Sequence, residues 1–480
     1  MSTERKKGLV FTNARMIDGT GQDPVDNSVI FIQGERIESI TTMDGLNGRS
    51  LDDYYEIDVK GKTVLPGLIE GHFHISYTDV LELSDLDLKL PAEECTVLAA
   101  QNGELILRCG YTSVFSAGAL HRVDVALRDL IEAGKMIGPR LLASGRDICP
   151  TSGMLDWNPS YWKLGMSGLA IFADGADEVR KAAREIMRDR ANMIKIYLTG
   201  EGLLRPWMPQ EETMMTREEV AAVTDEARRR NRMVMAHSRG ADGVKICVET
   251  GVDVIHHATM ADQEAIEMII ENKEKHFVVP ALGLTWATAN FAVDYGVPEA
   301  VVTEGLHQEE YEQGCKVMKQ LNEAGVRVLP GGDYGVAWCP HGNDAKDLEL
   351  FVRDMGFTPM EVLVAATKWG SEIMRMEDDV GTLEAGKYAD ILVVEGDPLE
   401  DITLFQDRSN IQMVMKGGDI MCNQLGLPQM LAVEHTMKEH HARVEETLGY
   451  KPGSLGNPEV SESAAQKKRN EMFTQLLART

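Results

Sequence analysis

The chain has 480 residues, of which 43% are hydrophobic and 26% charged, and its formal net charge is −27. That length is too great for one small core and suits one large α/β domain with an accessory domain, in a composition ordinary for a soluble globular protein. An acidic excess of this size repels phosphates, so neither nucleic acid nor an anionic membrane is an expected partner.

The first residues, "MSTERKKGLVFTNARM", contain no apolar core of a signal peptide, and no stretch approaches about 18 uninterrupted apolar residues. A cytoplasmic location is expected. Residues 8–64 then form short strands and turns: "GLVFTNARMID", "NSVIFIQGERIESI" and "YYEIDVKGKTVL" are rich in β-branched and apolar residues, and "DGTGQDP" is turn chemistry. The stretch "GTLEAGKYADILVVEGDPLED" and the later "IQMVMKGGDIM" repeat this pattern near the other end. Residues 1–64 and 382–425 are therefore expected to form one small β-sandwich domain built from both chain ends.

Between them, residues 65–381 alternate. Short β-like runs fall at 67–74, 112–117, 140–144, 193–198, 233–238, 253–258, 277–282 and 326–333. Helical patterns separate them, including "ADEVRKAAREIMRDR" and "TREEVAAVTDEARRRN". The second opens on a capping box, Thr216 with Glu219. Eight strands separated by helices predict an α/β fold, a (β/α)8 TIM barrel. A doubly wound open sheet is the alternative, but no Gly-rich phosphate turn follows the first strand. Residues 426–480 contain "VEHTMKEHHARVEETL", a helical tail suited to solvent or to a subunit contact, which makes a homo-oligomer the expected state. The seven cysteines are scattered and form no C-x-x-C pair, so neither a disulfide framework nor a thiolate zinc site is expected.

Chemistry is signalled at the strand ends. In "GLIEGHFHIS", His72 and His74 alternate with Phe73, and alternate strand residues share a face. Two imidazoles so placed can both reach one divalent ion at about 2.0–2.1 Å per bond. His237 ends "MVMAH", His257 ends "DVIHH" and Asp333 follows "VLPGG", each at the strand end where barrel enzymes place their chemistry. Lys195, between Ile194 and Ile196, is costly to bury as a cation; desolvation favours its neutral amine, which can add CO2 to give a carbamate. A buried Lys–Asp pair is the alternative.

These stretches, with "MIKIYLTGEG", "MAHSRG", "VIHHATM", "LPGGDYG" and the closing "GTLEAGKYADILVVEGDPLEDI", run in order over residues 8–424. Together they resemble the metal-dependent amidohydrolase superfamily, in the branch of Xaa-Pro dipeptidase-like, ochratoxinase-like and molinate and phenylurea hydrolase enzymes. The resemblance implies that His72 and His74 bind one metal ion, His237 and His257 a second, and a carboxylated Lys195 bridges both. Asp333 would bind the first ion and move protons. Zinc is the expected metal, with cobalt, manganese or iron as alternatives. His256 stands where many relatives carry glutamate, as a neighbour of the ligands or a competing one; strand alternation makes it hard for both His256 and His257 to face the metals. Paired ions would supply hydroxide at neutral pH, with Asp333 relaying its proton to the departing amine.

Several loop residues are candidate substrate contacts: Met154, Trp157 and Trp162 after the third strand, Arg205 and Trp207 after the fourth, and Trp338 and His341 beyond Asp333. Met154 stands where the dipeptidase-like branch usually has a histidine. Tyr197, two residues past Lys195, is placed to donate to a carbonyl oxygen or oxyanion. The tryptophans favour a flat apolar or aryl substrate, and so a hydrolase of an amide, urea or carbamate C–N bond in a phenylurea- or thiocarbamate-like xenobiotic. Arg205 and His341 could instead anchor a carboxylate, as an Xaa-Pro-type dipeptidase or an N-acyl amino acid hydrolase requires. A one-metal, deaminase-like enzyme and a metal-free relative acting through its surface are further alternatives.

Overall fold

The computed structural model describes residues 8–161, 168–202 and 208–426. The expected C-terminal helix, Trp162, Arg205 and Trp207 lie outside these residues.

Five strands open the chain: β1 (Gly8–Met16), β2 (Val25–Gln33), β3 (Arg36–Thr42), β4 (Tyr54–Asp58) and β5 (Thr63–Pro66). The alternating segment carries β6 (Leu68–Phe73), β7 (Tyr111–Ser116), β8 (Arg140–Leu142), β9 (Asp147–Cys149), β10 (Ala170–Phe172), β11 (Met193–Tyr197), β12 (Met233–Gly240), β13 (Val254–Met260) and β14 (Phe277–Val279). Three more close the described chain: β15 (Ile391–Val394), β16 (Ile411–Lys416) and β17 (Asp419–Asn423).

Strands from both ends do pair. They form one mixed sheet in the order β17-β16-β15-β5-β1-β2-β3, with β4 also on β1. The joint is antiparallel pairing of β15 with β5, Leu392 opposite Leu65. In place of separate stacked sheets, the hydrogen bonding is continuous, because β1 is shared: its first half pairs with β4 and its last two residues with β5.

The alternating segment forms two parallel sheets, β6-β7-β8 and β10-β9-β11-β12-β13-β14. Seven of the expected strands appear here; β9 and β10 are additional, and at three residues each they carry too short an apolar run to stand out from the flanking loops. Residues 326–333 form only bridges. Val328 pairs with Val278 and, just past the segment, Tyr334 with Phe73, while Gly71 N–H donates to Pro330 O at 3.1 Å. Pro330 lacks the N–H that a longer ladder needs. Close approach here requires glycine: a Cβ on Gly71 would stand 2.7 Å from Pro330 O, and one on Gly331 2.6 Å from His72 N. Across the other gap, Asn192 N–H donates to Ala143 O at 2.7 Å.

Residue alternation sorts the strands into two environments. Ile69, Phe115, Met193, Met233, Met235, Val254, Val279 and Leu329 share one buried cluster, although they come from seven different chain segments. Their neighbours Ile194, Ile196, Val234, Ala236, Ile255 and Val278 belong instead to the cluster packed against the helices. Each such side chain contributes about 1.5–3 kcal/mol when fully buried. The expected helices form, over Gly175–Arg188 and Arg217–Arg228. The Thr216 cap is present, with Glu219 N–H donating to its hydroxyl at 3.3 Å and Glu219 accepting from Thr216 N–H at 2.7 Å.

Candidate metal centre

On β11, Met193 lies in the inner cluster, so Lys195 and Tyr197 face the same way above it. Met233 and Met235 do the same for His237 on β12. On β6 the pairing with β7 shifts register between Glu70 and Phe73, which turns His72 and His74 inward. Their Nε2 atoms stand 3.2 Å apart, and Asp333 Oδ1 lies 3.4 Å from His72 Nε2 and 3.1 Å from His74 Nε2. The ligand atoms of these three residues all lie within 4.8 Å of one another, close enough to share an ion.

Lys195, fully buried, sits across from them with Nζ 3.1 Å from His256 Nδ1. Burial depresses its amine to about 8. Alternation along β13 carries Val254 and His256 inward together, and His257 should point out. It does not. His257 adopts φ +76° and Ala258 φ +51°, a left-handed break that turns both imidazoles toward the centre. The His257 ring lies 4.4 Å from that of His237 and 5.4 Å from that of His72, while the His256 ring lies 4.1 Å from that of His72, tilted by 42°. The expectation that alternation separates His256 from His257 is thus corrected by a local backbone conformation. Asp333 is held similarly, at φ +62°.

The protonation states suit metal binding. Burial depresses His72, His237, His256 and His257 well below the usual imidazole range, leaving neutral imidazoles, the form a metal ion requires. Burial alone would raise Asp333, but His74, Lys195 and Arg239 outweigh it and keep the carboxylate ionised. Among the described residues, His72 Nδ1, His256 Nε2 and both ring nitrogens of His257 have no hydrogen-bond partner despite full burial. Unpartnered buried imidazole nitrogens are costly, and cations would satisfy those directed at the centre. The donor set therefore fits a metal centre.

A pocket opens over this cluster, lined by His74, His237, Asp333 and Tyr197, with Tyr77 and Glu201 as further polar groups. Its remaining walls are apolar: Val80, Leu83, Leu86, Met154, Leu155, Leu284 and Val336. Tyr77 stacks on His74 at 4.1 Å between ring centroids, and Tyr197 on His237 at 4.8 Å. Burial holds both phenols well above their usual range, so each keeps its proton.

Residues 63–421 match the amidohydrolase family. The chain belongs to it. This amidohydrolase is 28% identical over 451 residues to an ochratoxinase of Aspergillus niger, covering 87% of this chain and 88% of the relative. A solved Xaa-Pro dipeptidase with bound methionine in the active site superposes with TM-score 0.75 at 30% identity, over 86% of this chain and 99% of that one. Phenylurea hydrolase B shares the fold, with TM-score 0.68 at 20% identity, over 88% of this chain and 98% of that one.

Of the substrate contacts expected for this amidohydrolase, Met154 lines the pocket. Trp157 does not: its Nε1 donates to Asp87 Oδ2 at 2.8 Å, against the core. Trp338 is buried behind the wall with Nε1 donating to Thr288 Oγ1 at 2.9 Å. His341 sits behind the centre, with Nε2 3.0 Å from His74 O and its ring against Phe73. Each of the three has a hydrogen bond to a protein partner, and none is among the described residues that line the pocket.

Three polar residues went unassigned in the sequence. Tyr77 and Glu201 enter the pocket. Asp147 is fully buried with both carboxylate oxygens unpartnered among the described residues; burial pushes it well above its usual range, against the pull of Lys195. Asp147 follows Arg146 in "GRDICP", so no apolar flanks of the kind that single out Lys195 mark it in the sequence. No helix among the described residues is long and apolar enough to cross a membrane.

Proposed function

We propose that this amidohydrolase cleaves an amide, urea or carbamate C–N bond in a small, largely apolar molecule, using two divalent ions held in the centre. One observation carries the reading: His72, His74 and Asp333 converge opposite Lys195, His237 and His257 on the floor of an apolar-walled pocket. His72, His74 and Asp333 would hold one ion, His237 and His257 the other, and a carbamate on Lys195 would bridge them. Zinc suits these donors, as do cobalt, manganese or iron. When bound, the ions would supply hydroxide at neutral pH and polarise the carbonyl.

The chain's own residues do the rest. Asp333, held ionised, takes a proton and passes it to the departing amine, without which nitrogen leaves poorly. Tyr197, held neutral, donates toward the developing oxyanion. Val80, Leu83 and Leu86 exclude water and take up the apolar part of the substrate. The seven inner-cluster segments and the bridges at both sheet gaps support closure as a (β/α)8 barrel carrying this site at its C-terminal face. A small domain from both chain ends, a cytoplasmic location and self-association through the tail complete the reading.

With Trp157 and Trp338 turned away, preference for an aryl substrate rests on Met154, Tyr77 and Tyr197. The second reading, an Xaa-Pro-type dipeptidase or N-acyl amino acid hydrolase, is favoured by the likeness to the Xaa-Pro dipeptidase and the ochratoxinase. Metal-loaded protein assayed on anilides, N-aryl ureas, thiocarbamates, Xaa-Pro dipeptides and N-acyl amino acids separates them. Turnover confined to the last two classes selects the second reading. No turnover of any class, with metal bound, removes both.

A further inference from the structure

Arg239 is 2% exposed, and its one positive charge is shared by two carboxylates. Its Nη2 donates to Glu201 Oε1 at 2.9 Å, and its Nη1 donates to Glu310 Oε1. Glu310 is satisfied at both oxygens: Thr259 Oγ1 donates to Oε1 at 2.6 Å and Gln210 Nε2 approaches Oε2 at 3.3 Å. Glu201 is not. Only Oε1 has a described partner, and the residue, 6% exposed, opens into the pocket beside Asp333 and His237. With Glu201 ionised, the buried triad thus carries an excess of one negative charge, displayed on the ligand side. Burying such an excess is unfavourable unless something cationic or donating completes it.

The position is specific. Gly200, immediately before Glu201, has its carbonyl 3.3 Å from His237 Nε2, so the carboxylate starts one residue from a metal-centre histidine. The pocket lining holds no lysine or arginine among the described residues, and Asp333 is already committed to His72 and His74. Glu201 is the acid left to face a ligand. Burial lifts its carboxyl to about 7 against the pull of Arg239, so it is ionised in mildly alkaline solution.

We propose that Glu201, held by Arg239, is the recognition group for an amine carried by the substrate a few bonds from the scissile carbonyl. This rests on the hydrolase reading above and narrows it, from any apolar amide to one bearing a basic nitrogen near the acyl carbon. Glu201 is a specificity residue, and the charge-assisted N–H···O bond it offers exceeds a neutral one in strength.

Binding separates this from turnover. The probes are β-homophenylalanine hydroxamate and phenylbutanoic hydroxamate, which share a metal-anchoring group and an apolar tail and differ in the amine. Calorimetry on metal-loaded wild-type protein at about pH 8 should find the amine-bearing probe bound at least about tenfold more tightly. In Glu201→Gln the difference should fall below about threefold, and Glu201→Asp should keep part of it. Equal affinities in the wild type, an undiminished preference in Glu201→Gln, or no binding of either probe overturns the proposal. Amide turnover is scored separately: its absence alongside an intact amine preference removes the hydrolase reading and leaves the amine site standing.

Discussion

Lys195 Nζ lies 3.1 Å from His256 Nδ1, so the buried amine faces an imidazole and not a carboxylate. Asp147, although fully buried nearby and electrostatically felt by Lys195, makes no ion pair with it. An amine lowered to about 8 by burial, with no salt bridge to hold its charge, releases its proton far more readily than an ordinary lysine, and its neutral form can react with CO2. Metal-free protein reloaded with zinc should therefore regain activity faster in bicarbonate than in CO2-depleted buffer. Lys195→Ala should show no bicarbonate response, lose about one ion per chain by elemental analysis, and lose activity by about 100-fold or more. Full activity and unchanged metal content in Lys195→Ala would reject the bridging role.

Asp333 contacts both His72 and His74 while keeping its charge. Asp333→Asn should lower kcat by about 10²–10⁴-fold, with a smaller change in KM, if proton transfer is its main task. Steady-state kinetics on metal-matched samples checks this. A change confined to KM would make it a substrate contact instead.

Gly118 links the centre to Asp147. It adopts φ +128°, its carbonyl lies 3.0 Å from His74 Nδ1, and a Cβ there would stand 2.5 Å from Asp147 Oδ1. Gly118→Ala should destabilise the fold by about 2 kcal/mol or more, from steric conflict and backbone strain together. The same substitution in an Asp147→Gly background should cost less, because the conflict is gone and only the strain remains. Denaturant unfolding of the four proteins tests it; strictly additive effects would show that Gly118 and Asp147 do not interact.

Beneath the centre, Asp344 and Asp347 are buried acids. Burial raises both, Asp347 to about 7. A carboxyl raised in the folded state favours folding at low pH, and that contribution is lost as pH rises from about 4 through the folded value. These two groups should therefore lower stability between about pH 5 and pH 8. Asp344→Asn keeps an acceptor for Gly342 N–H, which donates to Asp344 Oδ2 at 2.8 Å, and removes the ionisation. It should flatten the fall and raise Tm near pH 8 by about 2–4 °C. A pH profile parallel to wild type would place the titration elsewhere.

Chelation gives the simplest test of the unpartnered imidazoles. Removing metal should lower Tm by several degrees in the wild type, since bound ions stabilise only the folded state. The drop should shrink in His257→Ala. An identical Tm with and without chelator would argue that His257 is satisfied without a cation.

What the sequence determined by itself is a candidate ligand set and the alternation of strands and helices that carries it. His72 and His74 at alternate positions are legible because strand alternation is a local rule, and Lys195, His237 and His257 because each stands inside or at the end of a short apolar run. That both chain ends are strand-rich and belong together was legible, while the pairing of β15 with β5 that joins them was not. The remainder depended on long-range contacts that no local period records. His257 joins His256 at the centre through two left-handed residues, an arrangement that strand periodicity runs against. Trp157 and Trp338 have the composition of a substrate wall, yet Asp87 and Thr288, 70 and 50 residues away in the chain, turn them from it. Glu201 acquires its unsatisfied charge only because Arg239 and Glu310, far apart in sequence, meet beside it. Residue type fixes which bonds a side chain can make; the tertiary fold decides which partners reach it first, and so which side chains are left facing the ligand.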